Sequence, residues 1–277
     1  MGVGERARYW RHPAEPGVDL LSARFVRHAF ARHSHDHYAI GLVLDGVEEF
    51  AYGGSVERAA AGEMPLVNPG TVHTGHAGVP DGWTYRVMYP SVEVMAEVAA
   101  EVGLPPGTPA FTGPVLRDPE AARLLLAAHA AADQGDPLAS SSLMRLLFAA
   151  LLRRHGDRTP AAAPATAGGT AVAQARELLH ARMADPPKLA ELAAAVGARP
   201  FPLLRAFRDA HGLPPHAYLN QERIRAARRL LDTGAPLADT AYRVGFVDQA
   251  HLTRHFRRIV GITPGAYRRE RLGPERP

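Results

Sequence analysis

Between residues 18 and 90 the apolar positions come in short runs and alternations, each broken by turn residues. Residues 38–44 are mostly apolar and end at Asp45-Gly46, a pair whose tolerance of positive φ marks a tight turn; residues 47–52 end similarly at Gly53-Gly54. Residues 65–67 run into Asn68-Pro69-Gly70, and Trp83, Tyr85, Val87 and Tyr89 alternate along one strand face. Many short strands with regular turns predict a sandwich or small barrel.

Further along, the period lengthens to that of a helix. Residues 119–132 and 138–154 place Leu, Met and Phe at helical spacing, with Gly135-Asp136-Pro137 between them. This hairpin is either a dimerisation surface or a cap packed on its own domain, and the pattern leaves both open. Residues 156–169 are Ala, Pro, Thr and Gly without apolar periodicity, which predicts a flexible tether. Helices are expected beyond it over 170–183, 189–196, 200–211, 215–231, 237–244, 248–260 and 264–271. The chain therefore reads as an α+β multidomain protein. A strand-rich domain with a helical hairpin spans 1–155, a linker 156–169, and an all-α domain 170–277.

The all-α part contains a repeat. Leu203-Leu204-Arg205-Ala206-Phe207-Arg208 followed by Gly212-Leu213-Pro214-Pro215-His216-Ala217-Tyr218 returns, 49 residues later, as Leu252-Thr253-Arg254-His255-Phe256-Arg257 followed by Gly261-Ile262-Thr263-Pro264-Gly265-Ala266-Tyr267. Upstream, Ala190-Glu191-Leu192-Ala193 with Val196-Gly197 matches Ala238-Asp239-Thr240-Ala241 with Val244-Gly245. A short helix, a glycine turn and a second helix, used twice, is a duplicated helix-turn-helix. Ala193 and Ala241 are small enough for close helix crossing, and Gly197 and Gly245 stand where the turn needs positive φ. Leu203, Phe207, Leu252 and Phe256 form the inward stripes. Phe201, Pro202, Leu204, Arg205 and Arg208 then face out in the first copy. In the second, Gln249, Ala250, His251, Thr253, Arg254 and Arg257 do. Asp248 is a good N-cap for the second reading helix, whereas its counterpart Arg199 is a poor one, relieved by Pro200 at the first turn.

Charge sharpens this reading. Residues 170–277 hold 18 Arg and Lys against 10 Asp and Glu, while residues 1–169 hold 14 against 18. An excess of base confined to one end points to a polyanionic partner for that end, or to a solvated Arg-rich surface. Hydrophobic content of 46% and charged content of 22% are ordinary for globular proteins. No apolar run approaches the roughly 20 residues of a membrane span. The N-terminus lacks the plan of a secretory signal, so the expected location is the cytoplasm. There is no cysteine, which excludes disulfides, thiolate metal sites and Cys nucleophiles.

The two repeats, with Gly245-Phe246 and Gly261-x-x-Pro264, resemble the DNA-binding domain of the AraC/XylS family of transcription regulators over about residues 170–270. The resemblance implies two units joined by a long helix through residues 218–231. Their reading helices would enter successive major-groove segments on one face of double-stranded DNA. Positions matching the family's base contacts are Phe201, Leu204 and Arg205, then Gln249, Ala250, His251 and Arg254; Arg208 and Arg257 extend the same outward faces. Arg205 and Arg254 suit guanine and Gln249 suits adenine, the alternative for either Arg being a phosphate contact or a surface ion pair. Arg199 and Pro202 depart from the family pattern, which implies that the first unit reads mainly by shape and apolar contact. RNA polymerase is a further partner the resemblance implies.

His33-Ser34-His35-Asp36-His37, with Asp45-Gly46, Gly62 and Pro69-Gly70-Thr71-Val72-His73, resembles the two cupin motifs, and AraC-family members commonly carry such a barrel to bind an effector. Strand alternation places His33, His35 and His37 on one face, where His73 could join them. Three imidazoles such as His33, His35 and His73 suffice for a divalent metal with an open position, but the cupin carboxylate position falls on Ala39. The expectation is therefore no cofactor, with some of these histidines and Trp83, Tyr85 or Arg86 lining a small-molecule pocket. The plainer alternative is a polar strand edge. A regulator, rather than an enzyme, follows. The rivals are a metal-dependent cupin enzyme with a DNA-binding end and a constitutive architectural DNA binder.

Overall fold

One long strand, Ala39–Tyr52 (β4), organises the N-terminal part of the computed structural model, which describes residues 4–157 and 169–272. Before it come β1 (Arg6–Arg11), β2 (Val18–Phe25) and β3 (Phe30–His33). After it come β5 (Ser55–Ala60), β6 (Met64–Val67), β7 (His73–Ala77) and β8 (Trp83–Pro90). The first half of β4 pairs antiparallel with β8 and β6, and its second half with β5 and β7; β8 continues to β2 and β1, and β7 to β3. The sequence expected a turn at Asp45-Gly46. Instead the strand runs through it, with a register shift between Val43 and Asp45. Gly46 has φ +74°, and a side chain there would overlap the carbonyl oxygen of Gly82, just ahead of β8. Positive φ serves a bulge as well as a turn, and the bulge bends β4 from one sheet into the other.

The two sheet faces have different fates. Trp10, Leu20, Ile40, Leu42 and Met88 meet a helical layer made of α1 (Val92–Glu101), α2 (Pro119–Asp133) and α3 (Pro137–His155), through Met95, Leu125, Met144, Leu147, Phe148 and Leu151. The helical hairpin is thus a cap on its own domain, while Leu138 and Leu146 of α3 remain exposed on its other side. Asp118 and Asp136 start α2 and α3 by accepting from the amides of Ala121 and Ala139 at 3.0 and 2.9 Å. The opposite sheet face carries Leu21, Ala23, Phe25, Val43, Trp83, Tyr85 and Val87, all buried, and forms the barrel interior.

Short pairs complete this part: β9 (Ala110–Phe111), β10 (Val115–Leu116) against β6, and β11 (Gly156–Asp157) against β9. The expected tether is therefore ordered at its start, because Gly156 and Asp157 pair with Phe111 and Ala110; Gly169 already opens a helix, and residues 158–168 lie outside the described residues.

The C-terminal unit is α4 (Gly169–Ala181), α5 (Leu189–Ala195), α6 (Pro200–His211), α7 (Pro215–Asp232), α8 (Leu237–Arg243), α9 (Gln249–Val260) and α10 (Pro264–Leu272). Leu192, Ala193, Leu203 and Phe207 join Val172, Ala175 and Leu179 of α4 in one core; Ala241, Leu252, Phe256 and Tyr267 are buried at the equivalent places of the second copy. Both turns use glycine at positive φ, +65° at Gly197 and +86° at Gly245. The Asp248 carboxylate accepts from the His251 amide at 2.6 Å, while Arg199 provides no side-chain cap to α6.

Candidate functional site

Three histidines converge in the barrel. His33 ends β3, His73 begins β7, and both are buried; β3 stops at His33, so His35 arrives on an irregular stretch rather than by strand alternation. One ligand atom from each of the three lies within 4.8 Å of the others, and the His35 and His73 rings meet edge-on with centroids 4.9 Å apart. Each Nδ1 faces a main-chain carbonyl: His33 that of Ala31 at 2.7 Å, His35 that of His37 at 2.6 Å, His73 that of Thr71 at 2.9 Å. The tautomer that satisfies these carbonyls carries its proton on Nδ1 and presents Nε2 as the ligand atom. Burial holds His73 down to about 4, so its ring is neutral at physiological pH. His37 stands outside the cluster and contributes its carbonyl, because the chain has left the strand before reaching it.

Trp83 and Tyr85 do face the barrel interior. Phe25 lies 5.3 Å from Trp83 and 5.5 Å from Phe30 between ring centroids, and Trp83 lies 5.8 Å from Tyr85. Arg86 does not join them. It follows Tyr85 on the strand, so it faces the other way and pairs with Asp133 of α2 at 2.9 Å. The interior also holds a residue that sequence reasoning passed over. Glu48 of β4 is buried, its Oε2 has no hydrogen-bond partner, and Trp83 Nε1 has none either. Burial pushes the Glu48 carboxyl up to about 8. The signal for it was the strand period: Glu48 shares a face with inward Phe50, whereas Glu49 faces out toward Arg58 and His76.

In the helical unit the reading faces are open. Phe201 is 76% exposed, Leu204 half-buried, and Arg205, Arg208, Gln249, Ala250 and Arg254 exposed. Among the described residues, Arg205, Arg208 and Arg254 hold no ion pair, which leaves their guanidinium groups available to an anion or a base edge. Arg257 is half-buried. His251 is half-buried too, packed against Phe246 and His255 at 5.1 and 4.9 Å, so it braces the turn as well as bordering the reading face.

Comparison with known proteins agrees with both halves. Residues 15–148 match the sequence family described as AraC-like ligand binding domain, and residues 192–270 match a helix-turn-helix domain family. An uncharacterized HTH-type transcriptional regulator of Bacillus subtilis, YbfI, is 28% identical over 86% of this chain and 87% of its own length. A putative AraC-like transcription regulator of Streptomyces antibioticus is 35% identical, over 48% of this chain and 45% of its own. In fold, the chain is similar to ToxT of Vibrio cholerae: an apo form superposes with a TM-score of 0.58 at 12% identity, covering 92% of this chain and 97% of that one. No helix among the described residues is long and apolar enough to cross a membrane.

Proposed function

Because the chain belongs to the AraC family of regulators, a ligand-binding domain followed by a helix-turn-helix DNA-binding domain, we propose that a small-molecule effector inside the barrel sets how its two reading helices engage DNA. The observation that carries this is the pairing, in one chain, of a buried interior with unsatisfied polar atoms and two helices with outward arginines. The effector acts by population shift, favouring one of two states through differential affinity. A structural neighbour, ToxT, has been solved with an unsaturated fatty acid, at a TM-score of 0.54 and 12% identity, which supports a small-molecule occupant.

Base reading falls to Arg254 and Gln249 in the second unit and to Arg205 in the first, with Phe201, Leu204, Ala250 and His251 shaping the contact and Arg208 and Arg257 on phosphate. Such a regulator works in the cytoplasm beside RNA polymerase, and the exposed Leu138 and Leu146 support a homodimer through α3. The named relatives are regulators, which supports regulation without turnover over a metal-dependent enzyme.

The trihistidine cluster favours a second element of the same reading: a divalent cation held by His33, His35 and His73 as part of effector recognition. Three nitrogen donors braced by carbonyls meet the needs of zinc without a carboxylate.

The test is a thermal-shift screen of metabolites on the full chain, followed by fluorescence anisotropy on a duplex selected from random DNA. A hit should raise the melting temperature of the barrel and change the DNA affinity. A chain that binds selected DNA identically with every stabilising hit would be an architectural binder, not a regulator.

A further inference from the structure

Glu48 sits where a folded protein rarely leaves a carboxyl. It lies midway along the inward face of β4, opposite Ala59 of β5 and Ala77 of β7, neither of which offers a polar side chain. Space for it comes from Gly75 on β7: a Cβ there would lie 3.2 Å from Glu48 Oε1 and 3.2 Å from the ring of Phe30. The glycine keeps the carboxyl over an apolar floor. Oε2 is left without a partner, and so is the indole Nε1 of Trp83, which is fully buried on the same inward face. Buried polar atoms are almost always satisfied, and two orphans on one interior face call for a molecule that satisfies both.

The surroundings decide its charge. Phe30 and Tyr85 neighbour the carboxyl, and Phe25 and Trp83 pack against those two rings, so the surroundings are aromatic. Among the described residues no Arg or Lys pairs with Glu48; Arg86 and Arg58 are spent on Asp133 and Glu49 outside the barrel. A titratable neighbour is Tyr85, whose hydroxyl is held protonated by burial first, then by Tyr89 and Glu48. A buried carboxyl with no cation of its own ionises when an ammonium comes beside it, so it favours a cationic guest over a neutral or anionic one.

Resting on the reading of the barrel as the effector site, we propose that its ligand is a small organic amine on an aromatic or apolar body that also bears an accepting oxygen. The ammonium pairs with Glu48, the oxygen accepts from Trp83 Nε1, and the rings of Phe25, Phe30 and Tyr85 enclose the body.

Three probes sharing one phenol body separate the possibilities: tyramine (cation), 4-ethylphenol (neutral) and 4-hydroxyphenylacetate (anion), titrated calorimetrically into the full chain. Tyramine should bind at least about tenfold tighter than 4-ethylphenol, with the anion weakest. Glu48→Gln, which keeps the shape but cannot ionise beside an ammonium, should bring tyramine down to the level of 4-ethylphenol. Gly75→Ala, which crowds the carboxyl while sparing it, should weaken tyramine selectively. Equal binding of tyramine and 4-ethylphenol, preference for the anion, binding of none, or a Glu48→Gln chain that still prefers tyramine would each overturn the assignment. Anisotropy on DNA separates this from the regulatory reading. Tyramine binding that never alters DNA affinity sinks regulation and leaves the amine site standing. A different compound that alters DNA affinity where tyramine does not bind sinks the amine site alone.

Discussion

Arg223 of α7 donates from both Nε and Nη2 to the main-chain oxygen of Met183, at 3.0 and 2.8 Å, across the join between the two helix-turn-helix units. Its guanidinium also lies 5.6 Å from the ring centroid of Phe246, just beyond the second turn. A methyl group on Gly245 would fall 2.6 Å from the Cα of Ala184 and 2.8 Å from Arg223 Nη2. The turn of the second unit is thus packed against the segment between α4 and α5 that leads into the first, which ties the two units to each other. Arg223→Ala should cost the C-terminal domain about 1 kcal/mol or more, since it removes two hydrogen bonds to a part-buried carbonyl. Gly245→Ala should cost more than Gly197→Ala. Both have positive φ, but only Gly245 meets close neighbours. Chemical denaturation followed by helical circular dichroism orders the three variants, and equal costs for the two glycines would contradict the packing.

Reading by the second unit turns on Arg254, exposed on a helix whose inward side is fixed by buried Leu252 and Phe256. A bidentate guanine contact carries about 1–3 kcal/mol of discrimination, and a phosphate contact carries none. Arg254→Ala should weaken binding to a selected duplex by about ten- to a hundredfold while sparing scrambled DNA. Arg257→Ala should weaken both alike and flatten the salt dependence. Anisotropy across a salt series measures all four quantities. A parallel loss for Arg254→Ala would make it a backbone anchor.

Glu48 gives the barrel a pH signature. The unfolded chain loses this proton near the ordinary value of 4.5, whereas the folded barrel keeps it to about 8. The folded state therefore holds the extra proton in between. Stability is greatest below the unfolded value and declines as pH rises to the folded one, by about 1.4 kcal/mol per pH unit at most. Glu48→Gln removes that decline, so its advantage over the parent should grow from pH 5 to 8 and then level off. Denaturant midpoints at pH 5 to 9 test this, and a constant gap would mean the carboxyl is solvated.

The histidine cluster should take up one equivalent of cobalt(II), giving ligand-field bands in the visible range, and a chelator should remove it with a fall in barrel melting temperature. His73→Ala should abolish the bands. Bands that survive His73→Ala would place the ion elsewhere.

If α3 forms a dimer, Leu138 and Leu146, 76% and 58% exposed, are its apolar contacts. Leu138→Glu with Leu146→Glu should convert the dimer to monomer in sedimentation velocity without lowering the melting temperature. A parent chain already monomeric at tens of micromolar would end this proposal.

The C-terminal half was legible because each of its signals is local: Gly at a turn, Pro at a first helical position, Leu and Phe four apart. Tertiary context had little to override. The barrel was harder. Asp45-Gly46 supports either a hairpin or a bulge, and only the approach of Gly82 from 36 residues away selects the bulge. Val92–Glu101 was passed over because its valines suit a strand as well as a helix, and its cap, Ser91, follows directly on β8. His35 and His73 were found by motif, but His37 was misplaced because the strand stops early. Arg86 was grouped with Tyr85 although adjacent strand residues face opposite ways. Glu48 was missed because a glutamate is read as surface unless the strand period is followed through it.

The pairing of β2 with β8 brings Ser22 against Arg86, and β3 reaches β7 across a similarly long excursion of chain. The helices of the C-terminal unit, by contrast, pack mainly on near neighbours in sequence. Closing long loops before any contact rewards them slows folding, so the two halves differ in tempo. On dilution from denaturant, DNA-binding competence should return first, and a refolding chain passes through an interval in which it can grip DNA before it can sense anything.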